Sequence, residues 1–159
     1  MTATPRSVRR LDSSTGLVCD QGREGAAEML LTPTHHVFAM YRVHQNATLL
    51  PSEVACGPCG AEPGLPTLHA SASVDDAGRL HVSICNCDPD AEAPLRCELP
   101  GVQPRRVSGR VLTAATINAH NTFAAATAVE PRAFAAVRVE GGAVEAVLPA
   151  KSVVVLKVE

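Results

Sequence analysis

Thr67-Leu-His-Ala-Ser-Ala-Ser-Val74, Asp75-Asp-Ala-Gly-Arg79, Leu80-His-Val-Ser-Ile-Cys85 is the stretch on which the fold turns. Its first and last parts alternate with a period of two, the spacing that sends successive side chains to opposite faces of a strand. The middle part is a turn, with Gly78 suited to a positive φ. The whole reads as a β-hairpin. In its second arm Leu80, Val82 and Ile84 share one face, and His81, Ser83 and Cys85 share the other.

The same signature recurs towards the C-terminus. Leu95 to Leu99 and Arg106 to Leu112 read as strands. Phe134 to Glu140, Gly141-Gly142 and Ala143 to Leu148 read as a second hairpin. Ser152 to Val158 is a closing strand with Val154, Leu156 and Val158 on one face. About eight short strands joined by turns predict an all-β domain, an antiparallel sandwich or jelly roll. The 11 Gly and 12 Pro spread along the chain fit that many turns.

Upstream the period changes. Thr32 is placed to cap a helix and Pro33 to occupy its first position, where a missing N–H costs nothing. Val37, Met40, Tyr41 and His44 follow at helical spacing, with Phe38 widening the stripe, and the helix is expected to end near Gln45–Asn46. Met1 to Glu28 is polar and weakly periodic. It reads as poorly ordered, with some helix around Glu24 to Leu31. The expected organisation is an N-terminal segment over 1–28, a helical segment over 29–47 and a sandwich over 48–159.

The chain has 159 residues, room for one core. A net charge of −2 gives no reason to expect nucleic acid or an acidic membrane surface as partner. There is no run of 18 apolar residues for a membrane span, and no apolar stretch follows Arg6, Arg9 and Arg10 to make a secretory signal. The expected setting is therefore cytoplasmic, with reduced thiols. Aromatics make up only 3 %, with no Trp, which argues against a free-standing sugar-binding module that stacks rings on aromatic faces.

Cys56-Gly57-Pro58-Cys59 is the most conspicuous short motif. A redox C-x-x-C has a helix behind it to lower one thiol's pKa, and the Gly- and Pro-rich residues that follow cannot form one. A four-thiolate zinc site of Cys56, Cys59, Cys85 and Cys87 is a second reading. A loop with incidental cysteines is the third, with Cys85 and Cys97 as small buried apolar residues. His35 and His36 point about 100° apart on a helix, while His44 lies two turns beyond His36. Asn46-Ala-Thr48 fits a glycosylation acceptor, of no consequence inside a cell. Asp75, Asp76, Asp88, Asp90 and Glu92 fall in turns or on polar faces, the pattern of solvated charge. No cofactor is expected.

Several segments together resemble one family. Leu31-Thr-Pro-Thr-His-His-Val-Phe38, continuing to Gln45 and through Asn46-Ala-Thr-Leu-Leu-Pro51, resembles the last barrel helix of α-L-arabinofuranosidases of glycoside hydrolase family 51. Ser71-Ala-Ser73, Gly78-Arg-Leu-His-Val82, Asn86 to Pro89, Arg106 to Leu112, Asn118-Ala-His-Asn-Thr-Phe123 and Leu148 to Leu156 are similar to strands and loops of that family's C-terminal sandwich. The resemblance implies a domain that supports a (β/α)₈ barrel in the same chain, in enzymes that often form homo-oligomers. It also implies a retaining mechanism with two glutamates on that barrel. The acid/base glutamate follows an asparagine, and this sequence holds no Asn-Glu pair. No catalytic or substrate-binding residue carries over. The expectation is an accessory domain, inactive alone, with the apolar face of its helix exposed and one sheet edge open. The competing expectation is a sandwich that docks on a separate catalytic subunit or on glycan.

Overall fold

The structure, a computed structural model, describes residues 9–12, 17–21, 27–59 and 64–159. After β1 (Arg9–Asp12), β2 (Leu17–Gln21) and β3 (Ala27–Leu31) come α1 (Pro33–Tyr41) and a 3₁₀ turn (Arg42–His44). Then follow β4 (Thr48–Leu50), β5 (Leu68–Val74), β6 (Leu80–Asn86), β7 (Ala93–Cys97), β8 (Val107–Leu112), β9 (Arg132–Ala133), β10 (Val137–Glu140), β11 (Ala143–Leu148) and β12 (Ser152–Val158). They form a six-stranded sheet ordered β4-β5-β6-β12-β8-β9 and two three-stranded sheets, β10-β11-β7 and β1-β2-β3. The pairings are all antiparallel, as the hairpin pattern predicts.

The sandwich core lies between the six-stranded sheet and the β10-β11-β7 sheet. Leu80, Val82, Ile84, Val154, Leu156 and Val158 meet Ala93, Val144, Ala146 and Leu148 there, with Phe134 among them. These are the faces that the period-two alternation predicts for β6 and β12. Both hairpin turns carry the expected chemistry. Asp75 accepts from the N–H groups of Ala77 and Arg79 at 3.0 and 2.9 Å. Gly141 and Gly142, at φ 58° and 78°, make the two-residue connection that matches strand twist.

The middle of the outer face of the six-stranded sheet is covered rather than solvated. A second cluster, Met40, Leu112, Val129 and Val155, with Val37, Tyr41 and Val43, packs α1 and its 3₁₀ extension onto that face. This corrects the expectation that the helix would present its apolar face to solvent. Met40 is only 5 % exposed, whereas Phe38 is 62 % exposed. The wide stripe is split: one side is satisfied by this domain and Phe38 points away. The cover also makes β6 buried on both faces, so His81 and Ser83 are buried polar residues.

One further expectation is corrected. Helix around Glu24 to Leu31 is replaced over Ala27–Leu31 by β3, which pairs with β2 from Leu17↔Leu31 to Gln21↔Ala27. A short segment without its own cap gains more hydrogen bonds from a neighbouring strand than from one helical turn, whose nucleation is unfavourable. Residues 24–26 lie outside the described residues. Within 1–28, Arg9–Asp12 and Leu17–Gln21 pair as strands. Residues 1–8, 13–16 and 22–26 lie outside the description. The helix itself starts as expected, with Thr32 Oγ1 accepting from the His35 N–H at 3.2 Å. Its regular part stops at Tyr41, and Asn46, at φ 58°, redirects the chain into β4.

The β10-β11-β7 sheet ends on strands with a single neighbour each among the described residues. Its outer face carries an ion-pair row, Arg96–Glu145–Arg138, set by the registers Glu145↔Arg96 and Arg138↔Glu145. Charged rows of this kind discourage edge-to-edge pairing.

Candidate functional site

Cleavage of a glycosidic bond with retention needs two carboxyl groups about 5–5.5 Å apart. Several acidic residues among those described are held in structural contacts instead. Glu145 accepts from Arg96 Nη1 and Arg138 Nη2, both at 2.8 Å, and Arg96 first, then Arg138, holds its carboxyl below the usual range. Asp88 accepts from the N–H groups of Asp90 and Ala91 at 2.9 and 2.8 Å, closing its turn. Glu159 pairs with Lys157.

Two cavities bear on this. One, of about 650 Å³, lies open on the outer face of the small sheet, between Pro94, Arg96, Ala136, Val137, Glu145 and Val147. The other, of about 260 Å³, lies between α1 and the large sheet, lined by Met40, Val43, His81, Arg110, Val155 and Lys157 among others. The first holds one carboxylate and the second none, so neither can run two-carboxylate chemistry.

Under the helix is a polar layer that sequence reasoning missed. His44 lies between two serines of the outer face, with Nδ1 2.6 Å from Ser73 Oγ and Nε2 2.6 Å from Ser83 Oγ. A neutral imidazole has one donor and one acceptor, and a hydroxyl can answer either. Next to it, His81 Nε2 is 3.0 Å from Asp75 Oδ2. Hydrogen bonds from His81 and from Arg79 hold the Asp75 carboxyl well below the usual range. The Tyr41 hydroxyl lies 3.5 Å from Cys85 Sγ. Burial, then that contact, pushes the phenol pKa up, so the hydroxyl keeps its proton. The His44 and Tyr41 contacts fasten helix to sheet and the Asp75 contacts close the hairpin turn; they do not form a nucleophile–base pair.

The layer sets a pH dependence. Burial first, then the nearby His81, pushes the His44 pKa below its ordinary value, and burial and His35 do the same to His36. Above the unfolded-state value of about 6.5 both imidazoles are neutral in either state, and stability is full. As the pH falls through that value towards the lower folded-state values, the unfolded chain takes up protons first and stability is lost. Urea midpoints should therefore decline between pH 7.5 and 5, and H44Q should show a shallower decline. An unchanged slope in H44Q would rule out His44 as a source.

The cysteines lie where neither a redox helix nor a well-formed metal cage is present. Among the described residues no group of three or more His, Cys, Asp or Glu side chains stands ready to hold a metal ion. Even so, the C-x-x-C loop comes back to the end of the first hairpin. Cys59 Sγ is 3.5 Å from the Cys87 carbonyl oxygen, and the Leu68 N–H donates to Cys56 Sγ at 3.4 Å. The Cys87 thiol is pushed up by burial, then by Cys85, Cys59 and Cys56. Cys97 packs against the sandwich core, and burial raises its thiol pKa, as expected of a small apolar residue.

Asn121 is the other residue whose role the sequence concealed. Its Nδ2 donates to the carbonyls of Leu31 and Val129 at 2.7 and 2.9 Å, and its Oδ1 accepts from the Val129 N–H at 2.7 Å. One buried amide thus ties the segment entering α1 to the loop before β9.

No helix among the described residues is long and apolar enough to cross a membrane. Residues 22–152 match the family model described as the α-L-arabinofuranosidase C-terminal domain. An intracellular exo-α-L-arabinofuranosidase from Bacteroides ovatus is 35 % identical over 134 residues, which is 83 % of this chain and 26 % of that protein. The crystal structure of a family 51 arabinofuranosidase from Xanthomonas axonopodis pv. citri superposes with a TM-score of 0.80 at 38 % identity, over 83 % of this chain and 27 % of that one. A thermostable family 51 enzyme from Thermotoga petrophila shares the fold, with a TM-score of 0.71 at 18 % identity over 87 % of this chain and 30 % of that one. The chain thus spans about a quarter of the length of the relatives it matches.

Proposed function

The chain belongs to the family of α-L-arabinofuranosidase C-terminal domains, and we propose from this that it is the accessory sandwich of an enzyme releasing terminal α-L-arabinofuranosyl residues, in L-arabinose metabolism. On this reading the bond is broken on a (β/α)₈ barrel, and the sandwich described here supports that barrel without taking part in the chemistry. One observation carries the supporting role: Glu145 is the only carboxylate lining either cavity, and two arginines hold it. A carboxylate so paired can serve neither as a proton donor near neutral pH nor as an unencumbered nucleophile.

Phe38 favours docking on a catalytic domain, whether in the same chain or separately encoded. It is the one exposed aromatic among the described residues, and Met29 and Leu31, 66 % and 37 % exposed, precede it on the same connection. A single exposed ring is a poor platform for stacking a glycan but a usual anchor for a protein surface. The intracellular relative supports a cytoplasmic setting.

The test is turnover of 4-nitrophenyl α-L-arabinofuranoside by the purified chain. The expected rate is indistinguishable from that without protein. Turnover of roughly 1 s⁻¹ or faster, in the ordinary range for enzymes, would overturn the supporting role.

A further inference from the structure

We propose that the cavity between α1 and the large sheet binds a small organic acid, its carboxylate on His81, Arg110 and Lys157 and its apolar body against Met40, Val43 and Val155. Nδ1 of His81 is the single buried side-chain nitrogen or oxygen among the described residues that has no hydrogen-bond partner. Buried polar groups are nearly always partnered, because one left alone gives up its hydration without return. His81 is 5 % exposed and lines the cavity, which is the room where a partner for Nδ1 can sit.

The strand registers gather positive charge at the same place. His81 of β6 lies directly opposite Lys157 of β12. Two residues back along β12, Val155 lies opposite Arg110 of β8, so Arg110 and Lys157 share the outer face with His81. Asp75 and Arg79 of the turn and His44 of the 3₁₀ turn also surround His81. Asp75 is already occupied, accepting from two backbone N–H groups, from Arg79 Nε and from His81 Nε2. Glu159, which pairs with Lys157, is not part of the cavity lining. Two cations and an imidazole thus converge where no carboxylate lines the wall.

Asp75 decides where the imidazole carries its hydrogen. A carboxylate only accepts, so Nε2 bears the proton in their contact and Nδ1 is left as the open position. On the imidazolium Nδ1 donates, and an anion supplies the acceptor it lacks. A neutral ring takes up one proton as the anion arrives. Lys157 adds a point charge, and Arg110 adds a fork of N–H donors that fits the two oxygens of a carboxylate. The contact from Arg110 Nη2 to the Pro131 carbonyl, at 3.4 Å, is long enough for an anion to displace. Met40, Val43 and Val155 make the rest of the wall apolar, so a carbon chain covers what inorganic phosphate would leave bare. At about 260 Å³ the cavity is slightly smaller than most small-molecule sites, which sets the ligand at a few carbons.

The experiment is an NMR titration of the full chain with sodium butyrate at constant ionic strength, at a pH of about 6.5. Saturable shifts of the His81 ring and the Met40 methyl are expected, with a Kd of roughly 1 mM. Butyramide keeps the size without the charge, and inorganic phosphate keeps the charge without the chain. Each should bind about tenfold more weakly or worse. R110Q/K157M removes two cations from exposed and half-buried positions. It should weaken butyrate binding about tenfold or more while keeping the circular dichroism of the parent. No saturable shift up to about 100 mM butyrate, a hundredfold above that Kd, would overturn the proposal and leave Nδ1 to an ordered water. Butyramide or phosphate binding as tightly as butyrate would overturn it too, as would unchanged affinity in a folded R110Q/K157M. The comparison of ligands needs no variant, so it decides the matter even where the double substitution unfolds the chain.

Discussion

Replacing Phe134 by alanine is expected to lower the stability of the folded chain by about 3–5 kcal/mol, the range for truncating a buried aromatic. Phe134 is 6 % exposed and sits in the sandwich core between the two sheets. It cannot be replaced by sliding a neighbour, because its seat is made by Gly109 on β8. A methyl group added at Gly109 would stand 3.2 Å from the Phe134 Cβ and 2.8 Å from the Leu156 Cδ2. Backbone and ring are also joined, with the Phe134 N–H donating to the Gly109 carbonyl at 2.9 Å. Rigid strands on both sides keep the vacated volume from collapsing, which places the cost in the upper part of the range. Urea unfolding at constant pH measures it as a shift in midpoint with unchanged slope. A loss under 1 kcal/mol would mean that the ring is not a core element.

Asn121 should be nearly as costly to lose, at about 2–4 kcal/mol for N121A, because each buried polar group left without a partner costs roughly 1–3 kcal/mol. The amide serves the Leu31 carbonyl and both backbone groups of Val129, and the Val129 contacts are buried. The telling variant is N121D. It keeps the shape and the acceptor but sets a carboxylate against two carbonyl oxygens, so it should be at least as destabilised as N121A. Stability of N121D within about 0.5 kcal/mol of the parent, an ordinary surface effect, would show that the three contacts do not form.

The two residues differ in how far the sequence betrays them. Phe134 opens an apolar run that ends in a Gly-Gly turn, and its place in a strand region is readable from that pattern. Asn121 has no local signal: it is a polar residue in a loop of small residues, and one of its partners lies 90 positions away. His44 shows the same limit. Its helical spacing with Met40 and Tyr41 places it on the stripe, but Ser73 and Ser83 are 29 and 39 positions distant. The reading of β3 failed for a related reason. A five-residue segment becomes strand or helix according to whether a neighbour offers a hydrogen-bonding edge, and Leu17–Gln21 offers one.

What the sequence by itself determined is whatever repeats over a few residues. The period-two runs placed β5, β6, β8, β11 and β12, the Asp75–Arg79 and Gly141–Gly142 turns joined them, and Thr32-Pro33 started the helix. Each of these follows from backbone sterics and capping that act within one element. Tertiary structure alone decided that α1 covers the middle of the large sheet's outer face while Phe38 points away, and that the Cys56–Cys59 loop returns to the open end of the β5–β6 hairpin. Those outcomes depend on which elements lie side by side, and contacts between distant parts of a chain leave no periodic trace in it.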